Sequence, residues 1–86
     1  MRKVYFGKFL QNDRAEVFYN NIVIGELVRV DSSEGAVDAY FARIWADREN
    51  PVKIGEQVRC LGQVIQSPIK AKWRLKVRIE DHLESL

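Results

Sequence analysis

The chain has 86 residues, 47% of them hydrophobic and 30% charged, with a formal net charge of +2. That composition excludes a disordered polar tail and leaves room for one domain, 1–86, which buries only about 60–70% of the surface of its unfolded chain. One cysteine, Cys60, and one histidine, His82, exclude an internal disulfide and a zinc cluster of Cys and His. No apolar run reaches the roughly 20 residues of a membrane span, and Met1-Arg-Lys-Val-Tyr-Phe-Gly7 lacks the apolar segment of a signal peptide, so an intracellular protein without a membrane partner is expected.

In chain order, Arg2 to Leu10 carries Val4, Tyr5, Phe6 and Phe9 around Gly7 and predicts a strand that bends at the glycine. Gln11 to Arg14 is a polar turn, Glu16 to Tyr19 resumes an extended pattern, and Asn20-Asn21 turns or interrupts it. Ile22 to Val30 is rich in β-branched residues and runs into the turn formers Asp31-Ser-Ser-Glu-Gly35. Ala36 to Trp45 is its hairpin partner, with Val37, Ala39 and Phe41 on the face read as core and Asp38, Tyr40 and Ala42 on the other. Ala46 to Ile54 is a charged connection containing Pro51.

Gly55 to Ile65 reads as one more strand, with Val58, Cys60, Gly62 and Val64 on one side of the pleat. From Trp73 the alternation is strict, with Trp73, Leu75, Val77 and Ile79 on one face and Arg74, Lys76, Arg78 and Glu80 on the other, which predicts a closing strand with a basic face. Its approach loop holds Lys70 and Lys72, and Lys70 to Arg78 contains five basic residues and no acid. Five or six short strands with regular turn signals predict an all-β fold, a small five- to six-stranded antiparallel barrel.

Four stretches carry a resemblance: Leu27 to Gly35, Ala36 to Trp45, Lys53-Ile-Gly-Glu-Gln-Val-Arg-Cys-Leu-Gly-Gln-Val64, and Trp73 to Glu80. Their order is similar to the OB-fold, a Greek-key barrel, and to the single-stranded-DNA-binding subunits related to the replication protein A middle subunit and the Stn-type telomere-capping proteins. The resemblance covers Ile22 to Leu86 and leaves 1–21 unplaced. It implies a non-catalytic domain without a cofactor or a metal, binding single-stranded DNA rather than RNA in replication, repair or telomere maintenance. Carried onto these positions, the binding residues are Arg29, Tyr40, Arg43, Trp45, Lys70, Lys72, Trp73, Arg74 and Lys76. Cations would neutralise phosphates and flat rings would stack on bases. No Gly-rich phosphate loop or nucleophile motif speaks for an enzyme.

Two other readings stand beside it. The aromatic group Tyr5, Phe6, Phe9, Phe18 and Tyr19 is either core or a patch for a partner subunit, which would make the chain a protein-interaction domain. Asp31-Ser-Ser-Glu-Gly-Ala36 also resembles the Asp-x-Ser-x-x-Gly turn of PilZ barrels, which bind a cyclic dinucleotide, although Ala36 stands where the last glycine belongs.

Overall fold

Pairs of turn residues punctuate the first two-thirds of the chain, and each folds a strand back onto its neighbour. In the computed structural model, which describes residues 3–31, 37–45 and 51–85, the elements are β1 (Val4–Phe6), β2 (Arg14–Tyr19), β3 (Ile22–Asp31), β4 (Val37–Ile44), β5 (Val52–Cys60), β6 (Gln63–Val64) and α1 (Pro68–Glu84). Asn20 and Asn21 both have positive φ (52° and 66°), as does the Leu61-Gly62 pair (51° and 80°), which is what a tight two-residue hairpin with the twist of its strands demands. The second pair divides the predicted Gly55–Ile65 strand into β5 and β6, with Cys60 opposite Gln63.

The strands form one antiparallel sheet in the order β1-β2-β3-β4-β5-β6, curled into a half-barrel. The expected class, an antiparallel barrel-like sheet of five to six strands, is what the structure shows, with six strands in a half-barrel. Two features differ from the expectation. Each strand neighbours the next in sequence, so the Greek-key crossing implied by the resemblance gives way to a meander, the natural result of tight local hairpins. The closing element expected from Trp73 to Glu80 is not a strand but most of the helix α1.

The helix has a clear local cause. Ser67 caps it, its Oγ accepting from the Lys70 N–H at 3.1 Å, and Pro68 supplies a ring with φ already set for the first turn. The following Lys, Ala, Arg, Leu and Glu residues favour a helix. Leu75 and Ile79 fit both a period of two and a period of four; the structure selects Ala71, Leu75 and Ile79, which are fully buried, while Trp73 is half-exposed and Val77 only partly covered.

This stripe lies in the concave face of the sheet among Val4, Ala15, Val17, Leu27, Tyr40, Ala42, Ile44 and Ile54. Each buried aliphatic chain contributes about 1.5–3 kcal/mol. The two edges of the half-barrel meet the helix: Val4 N–H donates to Glu80 Oε1 at 3.3 Å, and Arg78 Nη1 donates to Gly55 O at 2.6 Å. Further along β5, Gln57 O accepts from Gln66 Nε2 at 2.7 Å and Val58 O from the Ile65 N–H at 2.9 Å.

Gly25 of β3, opposite the core residues Val17 and Ile44, is buried against β4, where an added Cβ would run into the Arg43 carbonyl. Gly25→Ala is expected to destabilise the domain by about 1–3 kcal/mol or more, through forced separation of β3 and β4, as read by urea unfolding. Leu75→Ala is expected to cost about 2–5 kcal/mol in the same assay, because the helix loses the centre of its buried stripe.

Candidate nucleic-acid interface

Once Pro68 to Glu84 is helical, residues 69, 72, 73, 76 and 80 form one stripe along β1, while 74 and 78 form another along β5. Ile69, Lys72, Trp73 and Lys76 meet Phe6, Gly7, Lys8 and Phe9 across an open cleft of about 500 Å³. Among the described residues, three lysines and three aromatic rings line it, and no carboxylate does. Lys76 Nζ stands 5.3 Å from the Phe6 ring centroid, and Lys72 Nζ is 5.8 Å from that of Phe9 and 5.7 Å from that of Tyr40. Such contacts attract a cation through the ring quadrupole and hold it without neutralising it.

The arginines are employed differently. Arg14 and Arg43 meet Glu26 at 2.6 and 3.6 Å, Arg29 meets Asp13 at 2.7 Å, and Arg59 meets Asp38 at 3.9 Å. Arg74 and Arg78 reach Glu56 at 4.0 and 2.9 Å. Among the described residues, every arginine therefore has a carboxylate, whereas Lys8, Lys72 and Lys76 have none within ion-pair distance.

Glu56 joins the helix to β5. Gln66 Nε2 donates to its Oε2 at 2.9 Å and Arg78 Nη1 to its Oε1 at 2.9 Å. Burial alone would push this carboxyl up, but the Gln66 and Arg78 hydrogen bonds and the charges of Arg74 and Arg78 outweigh it and hold the group below its ordinary value.

The predicted site residues divide accordingly. Lys72, Trp73 and Lys76 come together in the cleft, and Lys70 is exposed on the first turn of the helix. Arg74 turns to Glu56, Arg29 and Arg43 lie in ion pairs on the sheet, and Trp45, 44% exposed at the end of β4, is not among the residues of the cleft.

Tyr40 corrects the expected parity. It is 7% exposed in the core with Ala42 and Ile44, behind the cleft and 6.0 Å from the Phe9 ring, while Phe41 lies on the opposite face under Lys53. The apolar Ile44, two and four residues beyond Ala42 and Tyr40, is the signal for that choice. The aromatic group also splits: Phe6, Phe9 and Tyr19 pack on the core, and Tyr5 stacks on Phe18 at 4.9 Å on the convex face. Lys8, Phe6, Phe9 and Ile69 were not among the predicted site residues; their signal is the run Phe6-Gly-Lys-Phe9 taken with a helix capped at Ser67. Of the Asp31–Ala36 turn, only Asp31 lies within the described residues.

Among the described residues no helix is long and apolar enough to cross a membrane, and no group of His, Cys, Asp and Glu is arranged to hold a metal ion. No protein-family model, curated protein or solved structure matches the chain.

The carboxyl held low makes a pH prediction. Its stabilising effect is complete above the unfolded-state value and is lost as pH falls through the lower folded-state value. Thermal unfolding from roughly pH 7 to pH 3 is expected to show a steeper acid loss for the native chain than for Glu56→Gln, which is less stable at neutral pH.

Proposed function

We propose that the domain is a non-catalytic module that binds single-stranded nucleic acid, DNA in preference to RNA, in the cleft between α1 and the Phe6–Phe9 segment. The observation that carries this reading is the division of labour among the described cations: each described arginine has a carboxylate within ion-pair distance, while Lys8, Lys72 and Lys76 share a cleft with Phe6, Phe9 and Trp73 and have none. Phosphates supply affinity through lysine contacts, and unpaired bases stack on the half-exposed Trp73 ring. The placement of Lys70 and Lys72 adds to it. Lys70 lies in the first turn of α1, which carries no acidic residue, and Lys72 in the second, so Lys70 stands where the helix dipole favours an anion, at a cost to the helix of about 0.3–1 kcal/mol. A role in replication, repair or telomere maintenance follows from the OB resemblance.

Fluorescence anisotropy with a labelled mixed-sequence single strand tests the reading. Lys72→Ala with Lys76→Ala is expected to weaken binding and to reduce the slope of log affinity against log salt by about 1.4, two single-strand phosphate contacts. Trp73→Ala is expected to remove about 1–3 kcal/mol of stacking with the slope and the fold retained. Equal binding of duplex DNA or anionic lipid vesicles would replace the single-strand reading.

A second reading rests on a separate surface. Tyr5, Phe18 and Val23 are directly opposite one another across β1, β2 and β3, and Tyr5 and Val23 are about 40% exposed. Such an apolar line suits a partner subunit. Unchanged single-strand affinity in Tyr5→Ser with Val23→Ser would assign the two surfaces to different partners.

A further inference from the structure

Side chains alternate along a strand, so the residues that flank core positions point out of the convex face of the sheet. Glu16 stands between Ala15 and Val17, Glu26 beside Leu27, Arg43 between Ala42 and Ile44, and Lys53 beside Ile54. The register sets these four directly opposite one another across β2, β3, β4 and β5. The row therefore reads acid, acid, base, base.

The middle of the row is paired within the chain and its ends are not. Glu26 meets Arg14 at 2.6 Å and Arg43 at 3.6 Å, whereas among the described residues Glu16 has no cation and Lys53 no carboxylate within ion-pair distance. Three strand spacings, about 14 Å, separate these two ends, so they do not meet inside one chain. A two-fold axis that runs with the strands between β3 and β4, in the plane where two convex faces touch, reverses the row. Glu16 of one protomer then meets Lys53 of its partner and Glu26 meets Arg43, each contact occurring twice. The same operation sets Val28 against Phe41, which are directly opposite each other within the chain and both partly exposed. Val23 on β3 and Trp45, just past the core residue Ile44 of β4, are 40% and 44% exposed and stand on either side of the same axis.

We propose that the convex face binds a second copy of this chain, in a two-fold dimer in which Glu16 of each protomer pairs with Lys53 of the other. The inference rests on the reading of the Tyr5, Phe18 and Val23 line as a docking surface and names its occupant. The two sheets pack face to face with their strands crossing at about 30°. Apolar contact at Val28 and Phe41 holds the faces together, and the charge row fixes their register and rejects partners that lack its reverse. Because α1 lies on the concave side, both helices stay uncovered.

Sedimentation equilibrium over a range of concentrations, at low salt, tests the pairing with two single variants, Glu16→Lys and Lys53→Glu. The native chain is expected to dimerise, and each variant alone to raise the dissociation constant about tenfold or more, because two attractions become two repulsions. An equimolar mixture of the two variants is expected to regain the dimer, since Lys at position 16 of one then faces Glu at position 53 of the other; that recovery also shows that both variants fold. A native chain that stays monomeric up to about 1 mM overturns the second copy and leaves the Tyr5, Phe18 and Val23 line to a different partner. A dimer that each variant weakens but the mixture does not restore overturns the pairing of Glu16 with Lys53. A dimer indifferent to both variants and to Tyr5→Ser with Val23→Ser forms through another face, and overturns this inference and the docking surface together.

Discussion

The seating of α1 in the open side of a curled sheet is the contact on which the rest of the molecule depends. Six strands, each beside the next in sequence, bend into a trough but do not close, so their concave face has no cover of its own. Ala71, Leu75 and Ile79 provide it, spaced so that one stripe of helix reaches Val17, Leu27 and Ile44. Glu56 sets the position of the helix along β5 by binding Gln66 before the helix and Arg74 and Arg78 within it. A helix fixed in this way leaves a stripe of its surface beside β1, and that stripe is the cleft.

The distribution of cations follows from what each side chain does best. Arginine offers a planar fork that suits carboxylates, and it is used here to tie strand to strand and helix to sheet. Lysine is a compact charge on a flexible stem that rests along a ring while keeping its ammonium in water. The net charge of +2 does not show this separation, which appears only when each described cation is traced to what it touches.

The β-rich body of the fold was legible from its runs of β-branched residues, Ile22–Val30 above all, whereas Asn20-Asn21 read equally as a turn or an interruption until both residues were seen at positive φ in a hairpin. The final element was not read correctly, since a period-two pattern over Trp73 to Ile79 coincides with a period-four pattern over Ala71 to Ile79 at Leu75 and Ile79. Ser67-Pro68 decides between them, as a cap and a first-turn proline have meaning only for a helix. The change of element reshuffled the site. Lys72, Trp73 and Lys76 stayed neighbours because helical spacing brings together residues three and four apart; Arg74 moved to the other flank. Lys8 and Phe9 could not be placed from their own segment, since what they face is set by the docking of a helix sixty residues later.

Some strand-edge hydrogen-bonding groups are taken up from within: Glu80 takes the Val4 N–H of β1, and Arg78, Gln66 and Ile65 serve the Gly55, Gln57 and Val58 carbonyls of β5. Bare strand edges are where one chain pairs with another. Here the helix and the segment before it occupy part of those edges, so the element that covers the core also guards the sheet against pairing with another chain.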